Sequence, residues 1–498
     1  MGRDLAFIVA GQVMVALQSL IAMPIIIRLA GPAIYGANAL LTSTVFLLFN
    51  LVRYGISYQY QRKLVSASTA AERRQLFEPQ FAFQVVTTGI TCGIVFLIHP
   101  AIETWLFGGS VHFSSWLLIA LFASTLLYNQ VISYFQCTQH FLPSSIALGV
   151  RPYVYVALLV VVAFVWKTLS LDALLAMATI TLLCVSLPLV PLMLREIGLP
   201  RFRLPLHALI ASARLGWPLM IEMIVDFILS TSDRYLIAAF LSIAYVGEYQ
   251  PAYTLATLPL FLQTISEPLL TPAVSRLIDQ GARAEAEHMI AVFVRLFLMI
   301  VIPFSVGALM IGPSLLGLLA TPAIGMAGRW VVPLVAVATG FFGIMRFASL
   351  VAFVLGRTRL MVAPVFVGAS INVVLNLLLL PLLKDITVAG FTTLLGYAAS
   401  AVYACMLLHG EWRVVIDFKS ILRFCVAAAA MGGALWLLGY SPGAVTGLSI
   451  PHIIAAVAIG IIVYFSVLWA LGGFGRRELD QLGSLLRRRM PRASEKIQ

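Results

Sequence analysis

The stretch Ser232–Tyr253 reads S-D-R-Y-L-I-A-A-F-L-S-I-A-Y-V-G-E-Y-Q-P-A-Y and joins two long apolar runs near the middle of the chain. It begins with a charged pair, Asp233 and Arg234, and the run before it carries two acids, Glu222 and Asp226. A similar spacing occurs near the N-terminus. We therefore interpret this stretch as the opening of the second half of an internally repeated protein.

The composition defines the class of protein that surrounds this stretch. Hydrophobic residues make up 61% of the 498 residues and charged residues only 10%, and the mean hydropathy is +1.00. Soluble domains carry about 25% charged residues. The net charge is +12, but the basic residues lie between apolar runs rather than along a polar face. The sequence predicts an all-α, polytopic membrane protein and no nucleic-acid partner.

Runs of about 20 apolar residues, the length that crosses a bilayer, occur fourteen times. The predicted transmembrane helices are 5–27, 37–58, 79–99, 113–136, 144–166, 170–194, 213–232, 248–270, 288–312, 326–352, 360–383, 386–408, 421–440 and 452–473. The polar segment 62–77 is predicted to form a short amphipathic helix on the membrane surface. The connections are too short for a catalytic domain, so we expect a protein that is not an enzyme.

The basic residues predict the orientation of these helices, since cytoplasmic connections are enriched in Lys and Arg. With a cytoplasmic N-terminus, the outside connections carry only Arg28, Lys167, Arg234 and Lys384. Basic cytoplasmic connections thus alternate with outside connections that carry few basic residues, and this alternation requires an even number of helices. We therefore expect both termini in the cytoplasm.

An internal repeat organises the first twelve helices. Gly36 before helix 2 and Gly247 before helix 8 differ by 211 positions, and the same offset brings the first six helices onto the next six within about five residues. Six helices per half give two parallel-orientation repeats, which place a substrate site between them. The predicted units are a six-helix lobe over 1–195, a cytoplasmic linker over 196–212, a second six-helix lobe over 213–410, helices 13 and 14 within 411–475, and a basic tail over 476–498.

Four arginines lie inside predicted helices, at least five residues from either end and on the cytoplasmic side of the membrane. Charged groups at this depth are costly to insert and are often functional. Guanidinium groups bind phosphate bidentately and stay charged when desolvated, so the set could form a cationic, substrate-binding vestibule. The alternative is that each side chain reaches to the interface and only adds to the basic bias. The set is Arg53, Arg151, Arg295 and Arg346.

Glu222 and Asp226 are one helical turn apart near the middle of helix 7, so they share one face. Such a pair suits coupling to H+ or Na+, and the alternative is a structural partnership with a neighbouring helix. Glu267 is predicted to pair with Arg276 or Arg295. Asp233 and Arg234 are predicted to form a local ion pair at the outer end of helix 7. Spacings of Cys and His fit no metal site, and a P-loop motif is absent, so we expect no metal or cofactor.

Four segments resemble the polysaccharide flippases. The first hairpin P-I-I-I-R-L-A-G-P-A-I-Y-G (Pro24–Gly36) and the second-lobe hairpin Ser232–Tyr253 are similar to theirs, as are L-L-T-P-A-V-S-R-L (Leu269–Leu277) and G-R-T-R (Gly356–Arg359). These are the Wzx-like O-antigen and exopolysaccharide flippases of the multidrug/oligosaccharidyl-lipid/polysaccharide exporter superfamily, whose fold usually has fourteen helices.

The resemblance implies translocation of an undecaprenyl-pyrophosphate-linked oligosaccharide repeat unit across a bacterial inner membrane, by alternating access. It implies as partners the lipid-linked substrate, membrane lipids, and the polymerase and co-polymerase of the same pathway. The alternative is an ion-coupled small-molecule or multidrug exporter of the same fold. Relatives of that kind usually place an acid in helix 1, and Leu5–Ile27 contains none.

Overall fold

A computed structural model describes residues 2–53, 56–67, 69–204, 206–410, 412, 418–445 and 449–473. Within these ranges the chain is helical and contains no β-strand, since a helix pairs its backbone N–H and C=O groups within one segment. The α-helices are α1 Gly2–Arg53, α2 Ile56–Leu64, α3 Ala70–Ala101, α4 Ser115–Cys137, α5 Phe141–Trp166, α6 Leu171–Ser186, α7 Val190–Ile197, α8 Leu206–Phe240, α9 Ile243–Ala256, α10 Phe261–Asp279, α11 Arg283–Met310, α12 Gly312–Leu319, α13 Pro322–Ala327, α14 Val331–Val354, α15 Thr358–Leu383, α16 Thr387–Leu408, α17 Phe418–Leu437 and α18 Ile450–Ala470.

Among the described residues, 11 helical segments are long and apolar enough to cross a membrane. The chain is therefore a multi-pass membrane protein. One of these segments, Gln18–Arg53, contains parts of two predicted helices. Helix α8 and the pair α9 and α10, at the predicted positions of helices 7 and 8, are outside the set of 11. The number fourteen thus stays a prediction.

Helix α1 is broken at Gly31, whose φ of 81° and ψ of 171° are not helical. Met23 and Val45, on either side of the break, line the same cavity. On one straight helix their Cα atoms would be about 33 Å apart at 1.5 Å per residue. The two arms therefore fold back on each other at Gly31, as the prediction of two separate helices requires.

A close backbone contact between the two halves of the chain involves Gly36 and Gly247. A Cβ on Gly36 would lie 2.5 Å from the carbonyl oxygen of Ile243, and a Cβ on Gly247 would overlap the carbonyl oxygen of Pro32. Adding 211 to 32 and 36 gives 243 and 247, so each contact is the repeat counterpart of the other. Such reciprocity is the signature of a two-fold relation. We call this end of the bundle the Gly31 end, and the end with α2 the Arg53 end.

Other elements repeat in the same order. Lys167 follows the last residue of α5 and Lys384 follows that of α15. Both have positive φ (57° and 49°), and the N–H of each bonds to the carbonyl four residues earlier. Helix α4 packs on α6, as α14 packs on α16. The division into lobes over 1–195 and 213–410 stays a prediction.

Several predicted boundaries are wrong. Helix α8 begins at Leu206, inside the predicted linker, and continues to Phe240 instead of ending at 232. The segment 62–77 is not one surface helix, because α2 ends at Leu64 and α3 begins at Ala70. Thr69 caps α3 by accepting from the Glu72 N–H, while the Glu72 carboxylate accepts from the Thr69 N–H. This capping box is readable as T-x-x-E in the sequence.

Helices α17 and α18 occupy the predicted positions of helices 13 and 14. Arg423 of α17 donates to the carbonyl of Gly472, and Arg295 of α11 donates to that of Gly473, so two arginines bind the chain just after α18. This placement agrees with the favourable interaction of cations with helix C-termini. The predicted basic tail, 476–498, lies outside the described residues.

We expect Gly247→Ala to destabilise the protein by about 1–3 kcal/mol, the usual cost of overpacking, because the added Cβ collides with the backbone of Pro32. Thermal unfolding in detergent measures this effect. Gly89→Ala is the matched control, since a Cβ at that helical position meets nothing within 4 Å. Equal melting temperatures for the two variants would contradict the proposed contact.

Candidate functional site

A cavity of about 750 Å³ lies between the two halves of the chain. Its walls come from both arms of α1, from α4, α5 and α6 of the first half, and from α8 and α9 of the second. Among the described lining residues, the charged ones are Arg151 and Asp226. The uncharged polar ones are Gln18, Ser19, Asn38, Thr42, Ser43, Thr125, Asn129, Thr181, Ser230, Thr231, Gln250 and Thr254.

Arg151 provides the positive charge of the cavity wall. It lies on α5, and its guanidinium carbon is 5.5 Å from the centre of the Tyr128 ring on α4. No carboxylate among the described residues forms an ion pair with it. A guanidinium held against an aromatic face keeps its N–H donors in a fixed orientation. Arg151 can therefore bind a phosphate group that enters the cavity.

Asp226, in α8 of the second half, provides the negative charge of the cavity wall. Its Oδ1 atom is buried and has no hydrogen-bond partner among the described residues. Glu222, one turn earlier, lies 4.0 Å from the Arg346 guanidinium of α14. Glu267 of α10 accepts two hydrogen bonds from the same guanidinium, at 3.1 and 3.2 Å. Two carboxylates therefore share one arginine, while Asp226 faces the cavity.

The structure separates the four predicted arginines. Only Arg151 is among the described residues that line the cavity. Arg53 lies one turn beyond the lining residue Phe49, 4.9 Å from the centre of its ring. Arg346 joins α14 to Glu222 and Glu267, so the partner of Glu267 is Arg346 rather than the predicted Arg276 or Arg295. Arg295 donates to the carbonyl of Gly473 on the far side of the second half.

Asp233 and Arg234, predicted as a local ion pair at the outer end of helix 7, are buried inside α8, with exposed fractions of 3% and 6%. The Asp233 carboxylate accepts from the Tyr249 hydroxyl and from the Arg234 backbone N–H. The Arg234 guanidinium donates to the carbonyl of Ser230 and lies 4.3 Å from the centre of the Tyr253 ring. The charged pair therefore fixes α8 against α9. Helix α8 can continue through these residues because both charges have partners inside the fold.

The network extends to the end of the second half. The Tyr253 hydroxyl lies 2.9 Å from that of Tyr397 on α16. Asn372 of α15 accepts from the hydroxyl of Ser232 at 3.2 Å and donates to Thr393 at 3.3 Å. The opening stretch of the sequence thus lies at the centre of a buried polar cluster that joins four helices.

Sequence reasoning from ionisable residues missed the uncharged polar belt of the cavity. Its members recur one helical turn apart, as Asn38 and Thr42 do on α1 and as Thr125 and Asn129 do on α4. Residues at this spacing share a helix face. A search for hydroxyl and amide groups at i and i+4 within apolar runs would have found them.

Solved structures with this arrangement of helices are transporters and flippases. The lipid II flippase MurJ, in an inward closed conformation, aligns with a TM-score of 0.73 and 13% identity over 93% of this chain and 97% of its own. The Vibrio cholerae MATE transporter VcmN, in a mutant form, aligns with a TM-score of 0.57 and 13% identity over 82% and 96%. The MATE multidrug transporter DinF-BH gives 0.57 and 16% over 82% and 96%. The protein therefore has the fold of these membrane transporters.

The model of one protein family, described as polysaccharide biosynthesis protein, matches residues 1–278. This chain belongs to that family. The match covers the whole first half and the start of the second, including Arg151, Asp226 and the Ser232–Tyr253 stretch. Among curated proteins no match is found.

We expect Tyr249→Phe to destabilise the protein by about 1–3 kcal/mol, because it removes a hydrogen-bond donor from the buried Asp233 carboxylate. Thermal unfolding of the purified protein measures the loss. Tyr245→Phe removes a hydroxyl from an exposed residue of the same helix and serves as the control. A Tyr249→Phe protein as stable as the control would show that the Asp233 hydrogen bond adds nothing to stability.

Proposed function

We propose that this protein is a flippase that moves an undecaprenyl-pyrophosphate-linked oligosaccharide repeat unit from the cytoplasmic to the periplasmic face of the inner membrane. The observation that carries the proposal is the cavity between the two halves, whose described lining combines one guanidinium with a belt of hydroxyl and amide groups. Membership in a polysaccharide biosynthesis family supports a sugar-containing substrate. The flippase MurJ, with a similar fold, is named for a lipid substrate.

The chemistry of the cavity suits both parts of such a head group. The pyrophosphate carries negative charge and accepts hydrogen bonds, which Arg151 can donate in pairs. The sugars carry hydroxyl groups that exchange hydrogen bonds with the side chains around Asn38 and Thr125. The undecaprenyl chain is apolar and can remain in the bilayer while only the head group enters the cavity.

Contacts between the halves at both ends support alternating access. At the Gly31 end, α1 packs on α9 through Gly36 and Gly247, and Arg28 of α1 donates to the carbonyls of Leu318 and Ala320. At the Arg53 end, α2 packs on α8. In the proposed cycle one set of contacts separates while the other holds. The head group then enters from the cytoplasm and leaves to the periplasm.

Substitution of Arg151 tests the substrate part of the proposal. We expect Arg151→Ala to lower the rate of lipid-linked oligosaccharide translocation about tenfold or more, the effect of losing one or two charge-assisted hydrogen bonds. Arg151→Lys keeps the charge and should retain part of the rate. Proteoliposomes loaded with the lipid-linked unit provide the measurement. Arg195→Ala is the control, because this exposed arginine is outside the described cavity lining.

Two results would contradict the proposal. One is normal translocation by Arg151→Ala at the same protein level as the wild type. The other is a deletion strain that exports its polysaccharide normally but gains sensitivity to drugs, which would favour the alternative of a small-molecule exporter.

Ion coupling through Glu222 and Asp226 is part of the same proposal. Oδ1 of Asp226, which has no hydrogen-bond partner among the described residues, can take up a proton or Na+, and Glu222 lies 4.0 Å from Arg346. We expect Asp226→Asn to make translocation independent of an imposed H+ or Na+ gradient, and Glu222→Gln to have the smaller effect. Initial rates with and without each gradient measure this. Unchanged gradient dependence in Asp226→Asn would rule out coupling through that carboxylate.

A further inference from the structure

We propose that the cavity selects repeat units whose sugars are uncharged and rich in hydroxyl groups, and that it rejects units with acidic sugars. This inference rests on the proposed flippase function and assigns the chemical class of its substrate. It follows from the kind of hydrogen-bonding group that the wall presents and from the distribution of charge between α5 and α8.

Six polar side chains of the wall donate a hydrogen bond within their own helices. Ser43 donates to the carbonyl of Ala39 at 2.8 Å, and Thr125 donates to that of Leu121 at 2.7 Å. The same bond to the carbonyl four residues earlier is made by the side chains of Thr42, Asn129, Thr181 and Ser230. A hydroxyl that donates in this way keeps its oxygen lone pairs free. These six side chains therefore present mainly acceptors to a ligand.

Buried atoms without hydrogen-bond partners also indicate that the wall requires donors from a ligand. Oδ1 of Asp226 is buried without a hydrogen-bond partner, and so is Oε1 of Gln250. The Gln250 amide nitrogen is used, since it donates to the hydroxyl of Thr254 at 3.1 Å. Buried acceptors without partners are costly. A ligand with O–H donors satisfies them, whereas a carboxylate, which is acceptor-only, does not.

Charge reinforces this preference at the α8 wall. The nearest arginine, Arg346, is shared by Glu222 and Glu267, at 4.0 and 3.1 Å. Three carboxylates with one guanidinium leave this side of the cavity negative when all are ionised. An acidic sugar placed here would meet like charge in surroundings that screen poorly.

The α5 wall carries the opposite, positive charge. Arg151 lies there against Tyr128, and no described carboxylate pairs with it. The pyrophosphate therefore binds at the α5 wall and the sugars extend toward Asp226. This polarity explains how one cavity can accept an anionic lipid pyrophosphate and still reject a negative charge on the sugar.

A matched pair of probes tests the inference. Both are undecaprenyl-pyrophosphate-linked disaccharides that end in galactose or in galacturonic acid, and so differ by one carboxylate. They are mixed in the same phosphatidylglycerol-containing vesicles, and an impermeant pyrophosphatase reports how much of each has crossed. We expect the wild type to transfer the galactose probe about tenfold faster than the galacturonic acid probe. This ratio corresponds to a difference of about 1.4 kcal/mol in activation free energy.

Asp226→Asn should reduce this ratio toward one by accelerating the galacturonic acid probe relative to the galactose probe. A ratio of rates within one vesicle is unaffected by a general loss of coupling. Glu248→Gln, which neutralises an acid of α9 outside the described lining, should keep the wild-type ratio. Equal rates for the two probes in the wild type, or an unchanged ratio in Asp226→Asn, would overturn the inference.

Failure of the proposed function gives a different result. In that case the wild type moves neither probe, although it inserts and remains folded. Equilibrium binding of the two probes to the purified protein in detergent then decides the selectivity by itself. Tighter binding of the galactose probe, lost in Asp226→Asn, would support the inference, and equal binding would overturn it.

Discussion

The contact between Gly36 and Gly247 determines how the two halves of this protein can be arranged. Both residues lack a side chain where the backbones of Pro32 and Ile243 come closest. Because the contact is reciprocal under the offset of 211 residues, one geometric relation places the first two helices of each half. The rest of each half then packs around its own pair, as α4 with α6 and α14 with α16 do. The cavity lies between the two halves and extends to Tyr35, next to Gly36.

Polar groups in this bundle have two kinds of environment, and the difference separates structure from function. Asp233 and Arg234 have partners from Tyr249, Ser230 and Tyr253, so their burial holds α8 to α9. Arg151 and Asp226 instead line the cavity, and Oδ1 of Asp226 has no hydrogen-bond partner among the described residues. Charges of the first kind stabilise one arrangement of helices, whereas charges of the second kind are available to a ligand. Both kinds of charge lie inside helices of the bundle, so depth in the membrane does not distinguish them.

Hydropathy and the repeat predicted the membrane class, the fold and most of the helix positions, because these depend on local composition and spacing. Boundaries failed where a charge was taken as a helix end, as at Asp233, since only tertiary partners reveal that it is buried. The predicted arginines could not be sorted from sequence either, because helix rotation decides whether Arg151 or Arg295 faces the cavity. The same applies to Arg346, whose two acidic partners come from α8 and α10.

In the proposed mechanism, the position of Asp226 links selectivity to motion. It lies in α8, which contacts α9 next to the Gly247 junction and α2 at the Arg53 end. Any movement that separates α1 from α9 must therefore displace the negative wall relative to the positive wall on α5. A head group held between Arg151 and Asp226 would be released on one side as the walls part. A sugar that hydrogen-bonds to Asp226 would stabilise the state in which the α5 and α8 walls are close together. An acidic sugar would destabilise that state.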